Sequence, residues 1–82
     1  MDKINKLRIN INLLDEEIMS LLEERYELTS KIGILKKESN TTVLDTNRED
    51  YIINKASKYS HYPQIKVVYN SIMNESKKAQ RK

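Results

Sequence analysis

The N-terminal half of the chain carries one uninterrupted hydrophobic seam, and this seam constrains the fold more than any other feature. Apolar residues recur at alternating steps of three and four positions from Ile4 to Leu35, with Arg25 as the one polar member. The apolar members are Ile4, Leu7, Ile11, Leu14, Ile18, Leu21, Leu28, Ile32 and Leu35. Such spacing, with no proline to interrupt it, predicts a single helix from about Asp2 to Glu38.

The length of this predicted helix indicates that one chain cannot cover its own seam. At 1.5 Å per residue the helix is roughly 55 Å long, whereas a compact globule of 82 residues is about 30 Å across. The remaining residues are too few to pack along the overhanging part. We therefore expect a second copy of the chain to cover the seam, which makes the protein a homodimer.

A second, shorter helix is predicted after the polar loop SNTTV. Asp45 or Thr46 is expected to cap this helix, and Thr46 with Glu49 fits the S/T-x-x-E capping box. We expect the helix to run out near Lys58 and to bury Ile52, Ile53 and Ala56.

A third helix is predicted after the turn YSHY, with Pro63 at its first position. Its apolar stripe comprises Ile65, Val68, Tyr69, Ile72 and Met73. Continuing the stripe leads to Ser76 and Gln80, so the inward face of this helix ends in polar groups. The predicted class is all-α, a three-helix protomer with one very long N-terminal helix.

Composition excludes several classes of function. The chain has no cysteine, so no disulfide framework, thiolate chemistry or cysteine-based zinc site is available, and its single histidine, His61, lies in a predicted turn. We expect no metal and no cofactor. No stretch is apolar enough for a membrane span or a signal peptide, which favours a cytoplasmic protein without a membrane partner. The basic tail, which consists of Lys77, Lys78, Arg81 and Lys82, lacks interleaved aromatic residues, so nucleic acid is not an expected partner. The length predicts one domain, residues 1–82.

Arg25 and Lys36 are cations on the inward face of the first helix. They are eleven positions apart, so they lie within about 20° of the same face and about 16 Å apart along the axis. Cations that face a core need a negative partner. Asp45 and Glu49 could provide one in a buried salt-bridge network, but four cations outnumber these two carboxylates: Arg8, Arg25, Lys36 and Arg48. An anionic ligand accounts better for the surplus, since arginine suits carboxylates and phosphates.

Arg8 cannot share a pocket with Arg25 within one chain. The two residues are about 100° apart around the helix and some 25 Å apart along it. In a dimer, however, Arg8 could reach the pocket of the other copy.

Three segments together resemble the all-helical, type II chorismate mutases. The first helix of that family is matched by Leu7-Arg8, Ile11, Leu14-Asp15, Ile18, Leu22, Arg25, Leu28 and Lys36. The second-helix motif resembles Val43-x-Asp45-x-x-Arg48-Glu49, and the third resembles Ser76-x-x-x-Gln80. The resemblance covers nearly the whole chain. It implies an intertwined dimer with two shared active sites that convert chorismate to prephenate, a step toward phenylalanine and tyrosine.

The resemblance also implies a role for each polar residue. Arg25, with help from Ser76, is expected to hold the ring carboxylate of chorismate, and Arg8 from the other chain its enolpyruvyl carboxylate. Lys36 and Gln80 are the expected catalytic residues.

These two residues would bond the ether oxygen. The substrate hydroxyl would go to Glu49 and to the backbone at Asp45, and Arg48 would complete the cationic wall. The rearrangement needs no nucleophile, metal or proton shuttle, which agrees with the lack of cysteine.

Two other functions remain compatible with the sequence. An isochorismate-pyruvate lyase on the same fold would use the same arginine, lysine and glutamine arrangement. A non-enzymatic helical dimerisation module would explain the heptads, but it would leave the polar continuation at Ser76 and Gln80 without a reason.

Overall fold

The computed structural model describes residues 2–81, which form three helices and no strand. The helices are α1 (Asp2–Glu38), α2 (Thr46–Ala56) and α3 (Tyr62–Arg81). The predicted all-α class and the predicted bounds of the first helix are therefore confirmed. The heptad period sufficed for α1 because nothing in its sequence competes with the helix.

The end of α1 is set by Asn40, which adopts the left-handed conformation with φ of 57°. Asparagine tolerates this conformation better than most residues. The N–H of Thr41 donates to the carbonyl of Lys36 at 2.8 Å, and the N–H of Asn40 donates to that of Lys37 at 3.3 Å. This pattern is a Schellman motif, and it turns the chain back toward the side of α1 that carries Lys36.

The start of α2 is capped by Asp45 and not by Thr46. The Asp45 carboxylate accepts a hydrogen bond of 3.0 Å from the backbone N–H of Arg48, while Glu49 points elsewhere. The capping box expected from Thr46 and Glu49 is therefore wrong, because an aspartate one position earlier satisfies the same free N–H groups.

Two other helix ends differ slightly from the sequence-based expectation. The second helix ends at Ala56, with Ser57 as its C-cap, two residues before Lys58. The third begins at Tyr62, which moves Pro63 to the second position. Proline is tolerated in the first turn because the N–H groups there lack helical partners.

α3 is the central packing element, since it contacts both α1 and α2. The core between them is small: the buried residues are Gly33, Ala56, Met73 and Ser76. None of the three helices is long and apolar enough to cross a bilayer, over the part of the chain described.

The apolar seam of α1 remains largely uncovered. The molecule measures 56 × 23 × 14 Å, and the apolar seam residues are between 44 and 63% exposed. Monomeric proteins rarely expose apolar surface on this scale. The exposure therefore supports the expectation that a second copy covers α1.

Candidate active site

A cleft of about 350 Å³ lies where the second half of α1, the start of α2 and the end of α3 meet. Apolar side chains, among them Leu28, Ile32 and Met73, form part of its wall. Its charged and polar lining comprises Arg25, Thr29, Lys36, Asp45, Arg48, Glu49, Ser76, Lys77 and Gln80. The cleft thus brings together all the candidate site residues except Arg8.

Arg25 is tied to α3 at the base of the cleft. Its guanidinium donates to the hydroxyl of Ser76 at 2.5 Å, and that hydroxyl donates in turn to the carbonyl of Ile72 at 2.8 Å. Ser76 is only 4% exposed, so its hydroxyl has little freedom to rotate elsewhere. The position of Arg25 in the seam is therefore fixed by the polar end of the α3 stripe, and its remaining N–H groups are left for an anion.

Lys36 lies above Arg25 on the same face of α1, as their spacing predicts. Its ammonium group donates to the carbonyl of Val43 at 3.1 Å, a contact that the turn at Asn40 makes possible. An ammonium group has three donors, so this contact holds the Lys36 side chain over the cleft while other donors stay available.

Gln80 closes the cleft from the α3 side. Its side-chain oxygen is buried and has no hydrogen-bond partner among the described residues. A buried polar atom without a partner is unfavourable and often marks a site where a ligand or water completes the bonding.

Gly33 allows α1 to approach the backbone at Gln80. A Cβ on this residue would lie 2.6 Å from the Gln80 Cα and 2.7 Å from its carbonyl oxygen. Gly33 is the only glycine in the chain. A lone glycine inside a long helix is a signal of close packing, and this signal could have pointed to the contact from the sequence alone.

The α2 side of the cleft carries both acidic groups. Asp45 uses its carboxylate as the helix cap, which leaves its backbone as the part of the residue that could meet a ligand. Glu49 forms an ion pair of 3.1 Å with Lys77 of α3. Lys77 is not among the site residues predicted from the sequence, because it belongs to the basic tail, although it directly follows Ser76.

Arg48 forms the outer rim of the cleft. It is exposed, and its guanidinium lies 5.4 Å from the ring centre of Tyr51. The pKa of Tyr51 is lowered, chiefly by the neighbouring Lys55 ammonium group, which lies 4.6 Å from the ring centre, and to a smaller extent by Arg48. Arg48 therefore rests on an aromatic ring at the cleft mouth.

The charges of the cleft are unbalanced in favour of the cations. Four cationic side chains, Arg25, Lys36, Arg48 and Lys77, face two carboxylates in the lining. The surplus of two positive charges suits a small dianion. A partly enclosed, low-dielectric cleft strengthens that attraction relative to bulk water.

Arg8 does not line the cleft of its own chain. It is exposed on α1, roughly 25 Å along the helix from Arg25. This placement agrees with the expectation that Arg8 cannot serve the pocket of its own chain.

Comparison with known proteins gives a family match and one partial relative. Residues 7–81 match the family model described as chorismate mutase type II. A bifunctional chorismate mutase/prephenate dehydratase of Aquifex aeolicus (strain VF5) is 38% identical over 55 residues. That match covers 67% of this chain but only 15% of the relative. No solved structure matches at a comparable level of significance.

Proposed function

The chain belongs to the chorismate mutase type II family, and we propose that it converts chorismate to prephenate in a cleft shared between two copies of the chain. The observation that carries the proposal is the joining of Arg25, Lys36, Ser76 and Gln80 in one cleft with a surplus of positive charge. Chorismate is a dianion, so its two carboxylates fit this surplus.

The two carboxylates bind at different places. Arg25, oriented by Ser76, receives the ring carboxylate, because its guanidinium is held at the base of the cleft. Arg8 of the partner subunit receives the enolpyruvyl carboxylate. Each protomer thus gives Arg25 to its own site and Arg8 to the other, which requires a homodimer with a two-fold interface.

Lys36 and Gln80 act on the bond that breaks. As the C–O bond lengthens, negative charge develops on the ether oxygen, and donors fixed in advance stabilise this charge. The Lys36 ammonium group already lies over the cleft, and the half-buried side chain of Gln80 lines the same cleft. Gln80 donates through its amide N–H, which carries no charge and therefore does not titrate.

The ring hydroxyl is bound on the α2 side. The Glu49 carboxylate accepts a hydrogen bond from the hydroxyl, the backbone at Asp45 also receives it, and Arg48 completes the positive wall at the mouth. The protein holds the substrate in its compact reactive conformer. The reacting atoms are then already oriented, which lowers the activation barrier and raises the rate.

Disappearance of the absorbance of chorismate, with prephenate identified as the product, tests this proposal. Arg25→Ala serves as the matched variant that removes the base of the cleft and should abolish turnover. Release of pyruvate from isochorismate without turnover of chorismate would instead indicate a lyase. Turnover of neither substrate by the folded dimer would leave a helical dimerisation module.

A further inference from the structure

Lys77 and Lys78 are adjacent lysines of α3 with different surroundings. Lys77 lines the cleft and pairs with Glu49 of α2 at 3.1 Å, and these side chains are only 21 and 29% exposed. Lys78 pairs with Glu75 one turn earlier on the same helix, and those side chains are 69 and 57% exposed. Only the first pair joins two helices, and only the first lies in the cleft.

The Lys77 ion pair restricts the Glu49 side chain. A glutamate side chain has three rotatable bonds. In a cleft that also contains Lys36 and Arg48, the Glu49 carboxylate could pair with any of several cations. Lys77 binds the carboxylate through one oxygen, Oε2. The second oxygen is then left to accept a hydrogen bond from a ligand.

The same pair also limits repulsion inside the cleft. A dianionic ligand next to an unpaired carboxylate would meet a like charge, which is unfavourable in a partly enclosed site. With Lys77 paired to Oε2, Glu49 presents an acceptor whose charge is largely compensated. A hydroxyl can donate to it without placing the carboxylates of the ligand against a bare negative charge.

We propose that Lys77 is a positioning residue that orients Glu49 so that its free oxygen accepts the ring hydroxyl of the substrate. The proposal rests on the proposed chorismate mutase function. It adds a residue that the sequence motifs do not include, and it assigns Lys77 no direct contact with the substrate.

The test compares Lys77→Met with Lys78→Met. Each variant removes one ammonium group, and the two positions are adjacent in the chain. We expect Lys77→Met to lower kcat/KM for chorismate about tenfold, the usual effect of weakening a hydrogen bond to a charged group. The kcat/KM of Lys78→Met should match that of the wild type within twofold. Lys77→Arg, which keeps the positive charge, should retain most of the wild-type kcat/KM.

An O-methylated chorismate, whose ring oxygen cannot donate a hydrogen bond, separates positioning from a general structural role. On this substrate Lys77→Met and the wild type should have equal kcat/KM within twofold, because the bond that Lys77 prepares no longer forms. An equal tenfold loss on both substrates would show that Lys77 acts on the whole cleft, and would overturn the proposal.

The remaining outcomes are also decisive. A wild type that converts chorismate together with an unimpaired Lys77→Met would refute the role of Lys77 and leave the proposed function intact. A wild type that does not convert chorismate would refute the proposed function itself. If Lys77→Met and Lys77→Gln both fail to fold by circular dichroism, the ion pair is structural and the proposal fails.

Discussion

Gly33 and Gln80 are in backbone contact where α1 meets the end of α3. The contact is so close that it leaves no room for a side chain at residue 33. A Cβ there would lie 2.6 Å from the Gln80 Cα. Since Gln80 is a proposed catalytic residue, the lone glycine sets how deeply the last turn of α3 enters the cleft. Lys36 lies three residues beyond Gly33 on α1. The contact of Gly33 with Gln80 therefore fixes how far apart Lys36 and Gln80 lie, and these are the two residues proposed to donate to the ether oxygen.

Gly33→Ala should lower activity and stability together. Alanine favours a helix over glycine by about 1 kcal/mol, but the overlap with backbone atoms costs about 1–3 kcal/mol and displaces Gln80. We expect a lower thermal midpoint and a loss of at least about tenfold in kcat/KM, since small misplacements are costly in catalysis.

Ser30→Ala is the matched control, because Ser30 is an exposed residue one turn earlier on α1. It should leave both quantities near the wild-type values. A Gly33→Ala protein that is more stable and fully active would show that α3 gives way without consequence.

Gln80→Glu should make activity depend on pH. Burial raises the pKa of the new carboxyl above its ordinary value of about 4.3, and the nearby Lys36 ammonium lowers it again. At pH 7 the ionised carboxylate cannot donate, and it repels the negative charge of the transition state. Loss of such a donor typically costs about 3 kcal/mol. Activity should return as pH falls toward about 5 and the carboxyl regains its proton.

The measurement is kcat/KM against pH for the wild type, Gln80→Glu and Gln64→Glu. Gln64 is exposed on α3 and supplies the same change of charge away from the cleft. Parallel profiles for all three proteins would mean that Gln80 does not touch the ether oxygen.

Unfolding of the protein should depend on its concentration. Because the α1 seam is exposed in one protomer, folding and dimerisation are expected to be coupled, so the thermal midpoint rises as the protein is concentrated. Analytical ultracentrifugation over the same range should show the dimer. A stable, folded monomer at micromolar concentration would contradict this expectation.

Mixed dimers should reveal the shared site. Arg8→Ala and Arg25→Ala are each expected to be nearly inactive alone. In a heterodimer one site collects both substitutions and the other collects none. Co-refolding equal amounts should therefore restore about a quarter of wild-type activity, given random pairing across a two-fold interface. No recovery in preparations with confirmed heterodimers would place Arg8 outside the partner subunit's site.

Arg25→Leu should separate stability from activity. Leucine completes the apolar seam and removes a half-buried cation that has no ion-pair partner among the described residues, so the cost of desolvating that charge is removed. We expect a higher free energy of unfolding in urea and no turnover. Arg25→Lys, which keeps the charge but loses the planar fork, should be impaired without this gain. A less stable Arg25→Leu protein would show that the tie to Ser76 outweighs the seam.

The sequence predicted the features that depend on periodicity within one helix. The bounds of α1 and the shared face of Arg25 and Lys36 follow from the helical repeat alone. The stripe of α3 likewise predicted that Ser76 would face inward, and Ser76 is buried against Arg25. Such features need no knowledge of how the helices pack.

Contacts between helices were less accessible. The pairing of Lys77 with Glu49 depends on where α2 crosses α3, and the contact of Gly33 with Gln80 depends on how closely α1 and α3 approach. The cap of α2 was left open between Asp45 and Thr46, since both residue types cap helices well and only the backbone conformation decides between them.

The continuity of α1 has a consequence for how the length of such a chain can vary. Arg25 and Lys36 share the cleft because eleven residues bring the helix back to almost the same face. One inserted or deleted residue between them would leave the helix intact but rotate Lys36 by about 100° away from the cleft. Exposed positions of this segment, such as Ser30, can accept substitutions, whereas the length of the segment cannot change. The turn between α2 and α3 carries no cleft residue, and it is therefore where insertions can be accepted.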